Sequence, residues 1–178
     1  MKPIIFVFGP SGVGKSYLSK MLEKKKFLYV HIDTDSKNRS FAANGFPSEW
    51  DEDYHKVDPA HLASILLDRL HGEHAGAIIS FPTVHVFTHE KLVAAAQIGV
   101  TPLVLWGKHE DCVRAAQERI KKKGLRFNSP RYERLNEPTF RAYDRPEYDA
   151  FRVEVFQEDG SRYPDEELLA RIMERMAG

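Results

Sequence analysis

The stretch Gly9-Pro10-Ser11-Gly12-Val13-Gly14-Lys15-Ser16 constrains this chain more than any other. It satisfies G-x-x-x-x-G-K-[ST] at every fixed position. The context is the one such a loop needs. An apolar run, Ile4–Phe8, ends just before it, and a helical pattern with Leu18, Met21 and Leu22 on one side follows. Glycines let the backbone curl into a nest whose N–H groups converge on phosphate oxygens. The helix that follows adds the positive end of its dipole. In this arrangement Lys15 reaches the β- and γ-phosphates and the Ser16 hydroxyl ligates Mg²⁺. The nucleotide-binding set read from the loop is Gly9, Ser11, Gly12, Val13, Gly14, Lys15, Ser16 and Tyr17. An Asn/Thr-Lys-x-Asp stretch, which guanine readers often carry, does not occur in the sequence. ATP is therefore the expected nucleotide.

Beyond the loop, apolar runs alternate with helical patterns. The runs Ile4–Phe8, Leu28–Ile32, Ala77–Ser80, Leu103–Trp106 and Arg152–Phe156 read as strands. Helices are predicted over Ser16–Lys26, from Asp58-Pro59 through Leu70, from Thr88 to Ile98, over Asp111–Lys123 and from Pro164 onward. Alternation of this kind predicts an α/β fold, a parallel sheet with helices on both faces, in one domain. Two stretches break the alternation. Ser36–Val57 is polar, with Phe46, Pro47 and Trp50. Leu125–Tyr148 is rich in Arg, Pro and Tyr. Unpatterned segments of this length in a compact domain read as functional loops.

Composition narrows the function classes. At 178 residues and 42% hydrophobic content the chain can bury one sizeable core. Lys plus Arg equals Asp plus Glu at 26 each, so no global basic field marks the protein for nucleic acid. The balance hides blocks: residues 1–30 and 108–145 each carry +5, and residues 31–107 and 146–178 each carry −5. No apolar run is long enough to span a membrane. The chain reads as cytoplasmic, a monomer or homodimer acting on a small molecule. One cysteine, Cys112, cannot build an internal disulfide, and an inert thiol is the expected role. The histidine pairs His71/His74 and His85/His89 lack a third ligand at familiar spacing.

Acceptor chemistry is expected at the strand ends, because open α/β sheets bind ligands beyond the carboxyl ends of their strands. His31-Ile32-Asp33-Thr34-Asp35 closes the second strand. Asp33 is the candidate to take a proton from an attacking hydroxyl, and Asp35 to hold a water of the Mg²⁺ shell. Ser80 and Thr83 close the third strand as candidate donors to the acceptor. Phosphoryl transfer spreads negative charge over equatorial oxygens, which guanidinium forks match. The arginine candidates are Arg114, Arg119, Arg126, Arg131 and Arg134, with Arg39 nearer the acceptor.

A complete phosphate loop at residues 9–16, followed by Asp-x-Asp at 33–35, resembles the small P-loop kinases of the shikimate and gluconate kinase type, which group with the nucleoside monophosphate kinases. The resemblance implies five parallel strands in the order 2-3-1-4-5. It implies a substrate-binding insert, at about residues 36–57, and an arginine-bearing lid, at about 119–136. It also implies that Arg119 contacts the nucleotide at the lid base. The candidate residues around the acceptor are Asp33, Asp35, Arg39, Ser80, Arg126 and Arg131. Two departures stand out. Ser80-Phe81-Pro82-Thr83 replaces the Gly-rich turn of shikimate kinases, and no aspartate follows Ala77–Ile79. Lys15, Asp33 and Arg119 are the expected catalytic residues of an ATP-dependent kinase acting on a metabolite hydroxyl. Two other readings fit the same residues: a nucleotide-dependent switch, and a kinase for a nucleotide or nucleic-acid end.

Overall fold

A computed structural model of the chain describes residues 2–33, 37–84 and 87–177. The apolar runs become strands: β1 (Ile4–Phe8), β2 (Phe27–His31), β3 (Gly76–Ser80), β4 (Val100–Trp106) and β5 (Arg152–Glu154). They form one parallel sheet in the order β2-β3-β1-β4-β5. Helices α1 (Lys15–Glu23), α2 (Glu49–Glu52), α3 (Pro59–Asp68), α4 (His89–Gln97), α5 (His109–Lys122), α6 (Ser129–Tyr143) and α7 (Asp165–Ala177) fill the crossovers and the carboxyl end.

The central strands β1 and β3 are buried at every position, as strands covered on both faces must be. Side chains alternate across the sheet. Ile4, Phe6 and Phe8 pack on one side with Leu62 and Leu66 of α3 and Leu92 of α4. Ile5 and Val7 pack on the other with Leu18 and Leu22 of α1, Cys112 of α5, and Leu168 and Ile172 of α7. The predicted caps are present. Asp58 accepts the His61 N–H at 2.7 Å ahead of Pro59, and Thr88 accepts the Lys91 N–H at 3.4 Å.

Two differences from the sequence reading have physical causes. β4 begins at Val100 and runs through Pro102. β5 pairs only with Val104–Trp106, so the first half of β4 is an edge on that side, where proline is tolerated. The stretch 125–148 is mostly helix rather than loop. Asn128 caps α6 by accepting the Arg131 N–H at 2.9 Å, and Pro130 lies in its first turn. Its buried face is Tyr132, Asn136, Thr139 and Tyr143, a helical spacing written in polar and aromatic residues. Pro138 inside the helix further hid the pattern.

The stretch after β2 holds three 3₁₀ turns and α2, and Phe41, Phe46, Trp50 and Val57 drive it into the core. Trp50 is 3% exposed and stands edge-on to Phe41, so it anchors this segment instead of lining a pocket. Phe8 and Phe81 stack at 4.5 Å beneath the same layer. Among the described residues no helix is long and apolar enough to cross a membrane.

Candidate functional site

The loop between β1 and α1 has the conformation its glycines permit. Gly9, Gly12 and Gly14 take φ values of 133°, 92° and 106°, in the left-handed region that side chains avoid. Space forbids side chains there too. A Cβ on Gly12 would strike the Cys112 carbonyl, and one on Gly14 would strike the Arg162 guanidinium. Gly14 is also the residue before α1, so the Lys15 and Ser16 amides lie at that helix's amino terminus.

Lys15 is buried beneath the loop. Its Nζ donates to Gly9 O at 2.6 Å, Pro10 O at 3.1 Å and Thr83 Oγ1 at 3.4 Å. Burial, helped by the nearby Arg119 charge, pulls its pKa down to about 7. The amine is thus held against the loop's own carbonyls.

A cleft of about 930 Å³ opens over the loop, at the carboxyl ends of the strands. Its floor is Ser11, Gly12, Gly14, Lys15, Ser16 and Tyr17. His31, Asp33, Pro82 and Thr83 line one side, and Arg119, Arg126, Arg131, Asn136 and Arg162 another. Asp33 Oδ2 lies 4.0 Å from His31 Nε2 and 3.9 Å from Arg39. His31 Nδ1 is 2.7 Å from Ser80 Oγ, and burial holds the imidazole's pKa below its ordinary value. The cradle of positive-φ glycines, the buried lysine and the helix terminus suit a polyphosphate, and the Ser16 hydroxyl in the same cleft suits a divalent ion bound to it.

The structure brings most of the predicted residues together and separates some. Lys15, Asp33, Arg119, Arg126 and Arg131 share the cleft. Arg119 reaches Ser11 Oγ at 3.2 Å. Arg39 stands beside Asp33 without lining the cleft, and Asp35 lies outside the described residues. Tyr17 lines the cleft, but its hydroxyl donates to Asp165 at 2.8 Å. Arg114 is not brought to the loop. It pairs with Asp111 at 2.7 Å and donates to Gly160 O, because it projects from the far side of α5. Ser80 is fully buried and holds His31, and it does not line the cleft; Thr83, three residues on, does. Cys112 is fully buried, and desolvation pushes its thiol up to about 12, the inert role expected. Asn128-Ser129-Pro130 caps α6 and is not a loop tip. His74 Nδ1 accepts the His71 N–H at 3.0 Å, a turn contact, and His85 lies outside the described residues.

Residues that sequence reasoning passed over include Arg162, Tyr132 and Asn136. Arg162 follows β5, where the strand-end rule points, but it sits in the acidic block 146–178 and outside the arginine-rich stretch. Tyr132 and Asn136 were hidden with α6 itself.

No family model matches the sequence, and no curated protein matches it. Solved structures do share its fold. A gluconokinase from Sinorhizobium meliloti 1021 superposes with a TM-score of 0.57 at 19% identity, covering 99% of this chain and 92% of that one. A shikimate kinase from Aquifex aeolicus gives 0.50 at 16% identity, over 98% and 96%. A tunicamycin resistance protein from Deinococcus radiodurans gives 0.50 at 16%, over 99% and 95%. The fold is that of the small P-loop kinases, with the strand order 2-3-1-4-5 that the resemblance implied.

Proposed function

We propose that the protein is a cytoplasmic kinase that transfers the γ-phosphoryl group of ATP to a hydroxyl of a small metabolite. The observation that carries this reading is the cleft itself. Asp33 faces the same space as the phosphate loop, Lys15 and four arginines. Asp33 accepts the hydroxyl proton as the new O–P bond forms and the bond to ADP breaks. Lys15 and Arg119 meet the charge on the transferring group, and Arg126 and Arg131 orient the acceptor from above. Ser16, with Asp35, would hold Mg²⁺, which when bound neutralises phosphate charge. Residues 119–136, the end of α5 through the first half of α6, act as the lid, and residues 36–57 shape the acceptor end. Tyr17 is a wall of the nucleotide site.

Substituting Asp33→Asn tests the proton-acceptor role. Turnover falls by about 10²- to 10⁴-fold while Mg·ATP affinity stays within a few-fold. Near-normal turnover would remove Asp33 from the chemistry. Lys122, Lys123, Arg126 and Arg131 also line the cleft mouth, and this favours a second reading, a kinase for a nucleotide or a nucleic-acid end. Oligonucleotide binding that weakens steeply between 50 and 200 mM salt, on the order of 10³-fold, would support it, and a flat response would dismiss it.

A further inference from the structure

The carbonyls of the phosphate loop are held by side chains of the cleft wall that the reaction scheme does not use. Tyr132 of α6 donates its hydroxyl to Ser11 O at 2.9 Å. Arg162, on the turn after β5, donates Nη2 to Gly12 O at 3.4 Å and Nη1 to Val13 O at 3.2 Å. Three consecutive carbonyls are therefore fixed by two residues from two different elements. Asn136 adds a fourth tie by accepting the Ser11 N–H at 2.6 Å.

In a trans peptide the carbonyl and the next N–H point in opposite directions, and the described residues contain no cis peptide. A carbonyl drawn away from the nest thus turns the next amide into it. Holding Ser11 O, Gly12 O and Val13 O orients the amides of Gly12, Val13 and Gly14. Those are the donors a phosphate nest needs preformed, since glycine-rich backbone is otherwise free to turn.

Arg162 is itself locked. Its guanidinium lies 5.2 Å from the Phe156 ring and 5.5 Å from the Tyr17 ring, and it packs directly on Gly14. Tyr132 is buried against Phe127. Neither hydrogen-bonding group can swing away without loss of packing.

We propose that Arg162 and Tyr132 are positioning residues that brace the phosphate loop by three consecutive carbonyls and so preorganise its amides for a polyphosphate. The inference rests on the nucleotide-binding reading of the loop for its ligand, but the brace itself is a property of the ligand-free protein.

The test uses the full chain with Arg162→Lys and Tyr132→Phe. The first keeps the charge and loses the fork; the second removes one oxygen. Backbone ¹⁵N order parameters of Gly12, Val13 and Gly14 are measured without ligand, and Mg·ATP affinity by calorimetry on the same samples. The wild type gives order parameters of about 0.85, and both variants fall toward about 0.6 at these amides. Affinity weakens about tenfold in each. Wild-type order parameters in either variant overturn the brace. Loosened amides with unchanged affinity overturn its link to ligand. A wild-type protein that binds neither Mg·ATP nor Mg·GTP refutes the nucleotide reading, and the order parameters then still decide the brace.

Discussion

Lys15 shows how burial and function meet in one side chain. Desolvation brings its pKa to about 7, against 10.5 for an unperturbed lysine. Between these values the folded protein binds fewer protons than the unfolded chain, so this group makes stability rise with pH across that window. A bound polyphosphate supplies the missing anionic partner and restores the charge. Mg·ATP binding at pH about 8.5 therefore takes up close to one proton, which calorimetry in buffers of different ionisation enthalpy measures. Binding with no proton uptake would place the lysine charged already.

At the residue scale the loop was legible because its chemistry demands fixed residue types at fixed spacing. Single polar residues were legible only to their strand end. Ser80 and Thr83 are three apart and equally plausible in sequence, but β3 ends between them, so one is buried against His31 and the other faces the cleft. Arg114 and Arg119 are on one helix, and their five-residue separation puts only the latter over the loop.

At the scale of elements, strands and capped helices followed from apolar runs and from Asp58-Pro59 and Thr88, which are local signals. α6 did not, because its inward face is Tyr132, Asn136, Thr139 and Tyr143 instead of aliphatic residues. Each of these side chains has at least one hydrogen bond to a distant part of the chain. Thr139 Oγ1 donates to Thr83 O at 2.5 Å, and Tyr143 Oη accepts the Phe87 N–H at 3.0 Å. Such pairings cross the fold and leave no periodic trace in sequence. They also predict a cost. Tyr143 is fully buried, so Tyr143→Phe deprives the Phe87 amide of this hydroxyl and destabilises the protein by about 1–3 kcal/mol in urea denaturation. An unchanged midpoint would mean the bond is made good by a neighbour.

Across the whole molecule, parallel strands make the site a matter of topology. Every strand delivers its carboxyl end to the same edge, so the loop after β1, Asp33 after β2, Thr83 after β3 and Arg162 after β5 converge although they span most of the chain. The basic block at 108–145 supplies Arg119, Arg126 and Arg131 to that edge, which explains why a chain with no net charge concentrates cations there.

The central claim is acceptor-dependent phosphoryl transfer from this cleft. ADP release with Mg·ATP against a panel of sugars, polyols, hydroxy acids, nucleosides and hydroxylated antibiotics, with Lys15→Ala as control, tests it most directly. The account predicts release that depends on one acceptor class and is lost in the variant. Tight nucleotide binding with no acceptor dependence, or full transfer by Lys15→Ala, would contradict it.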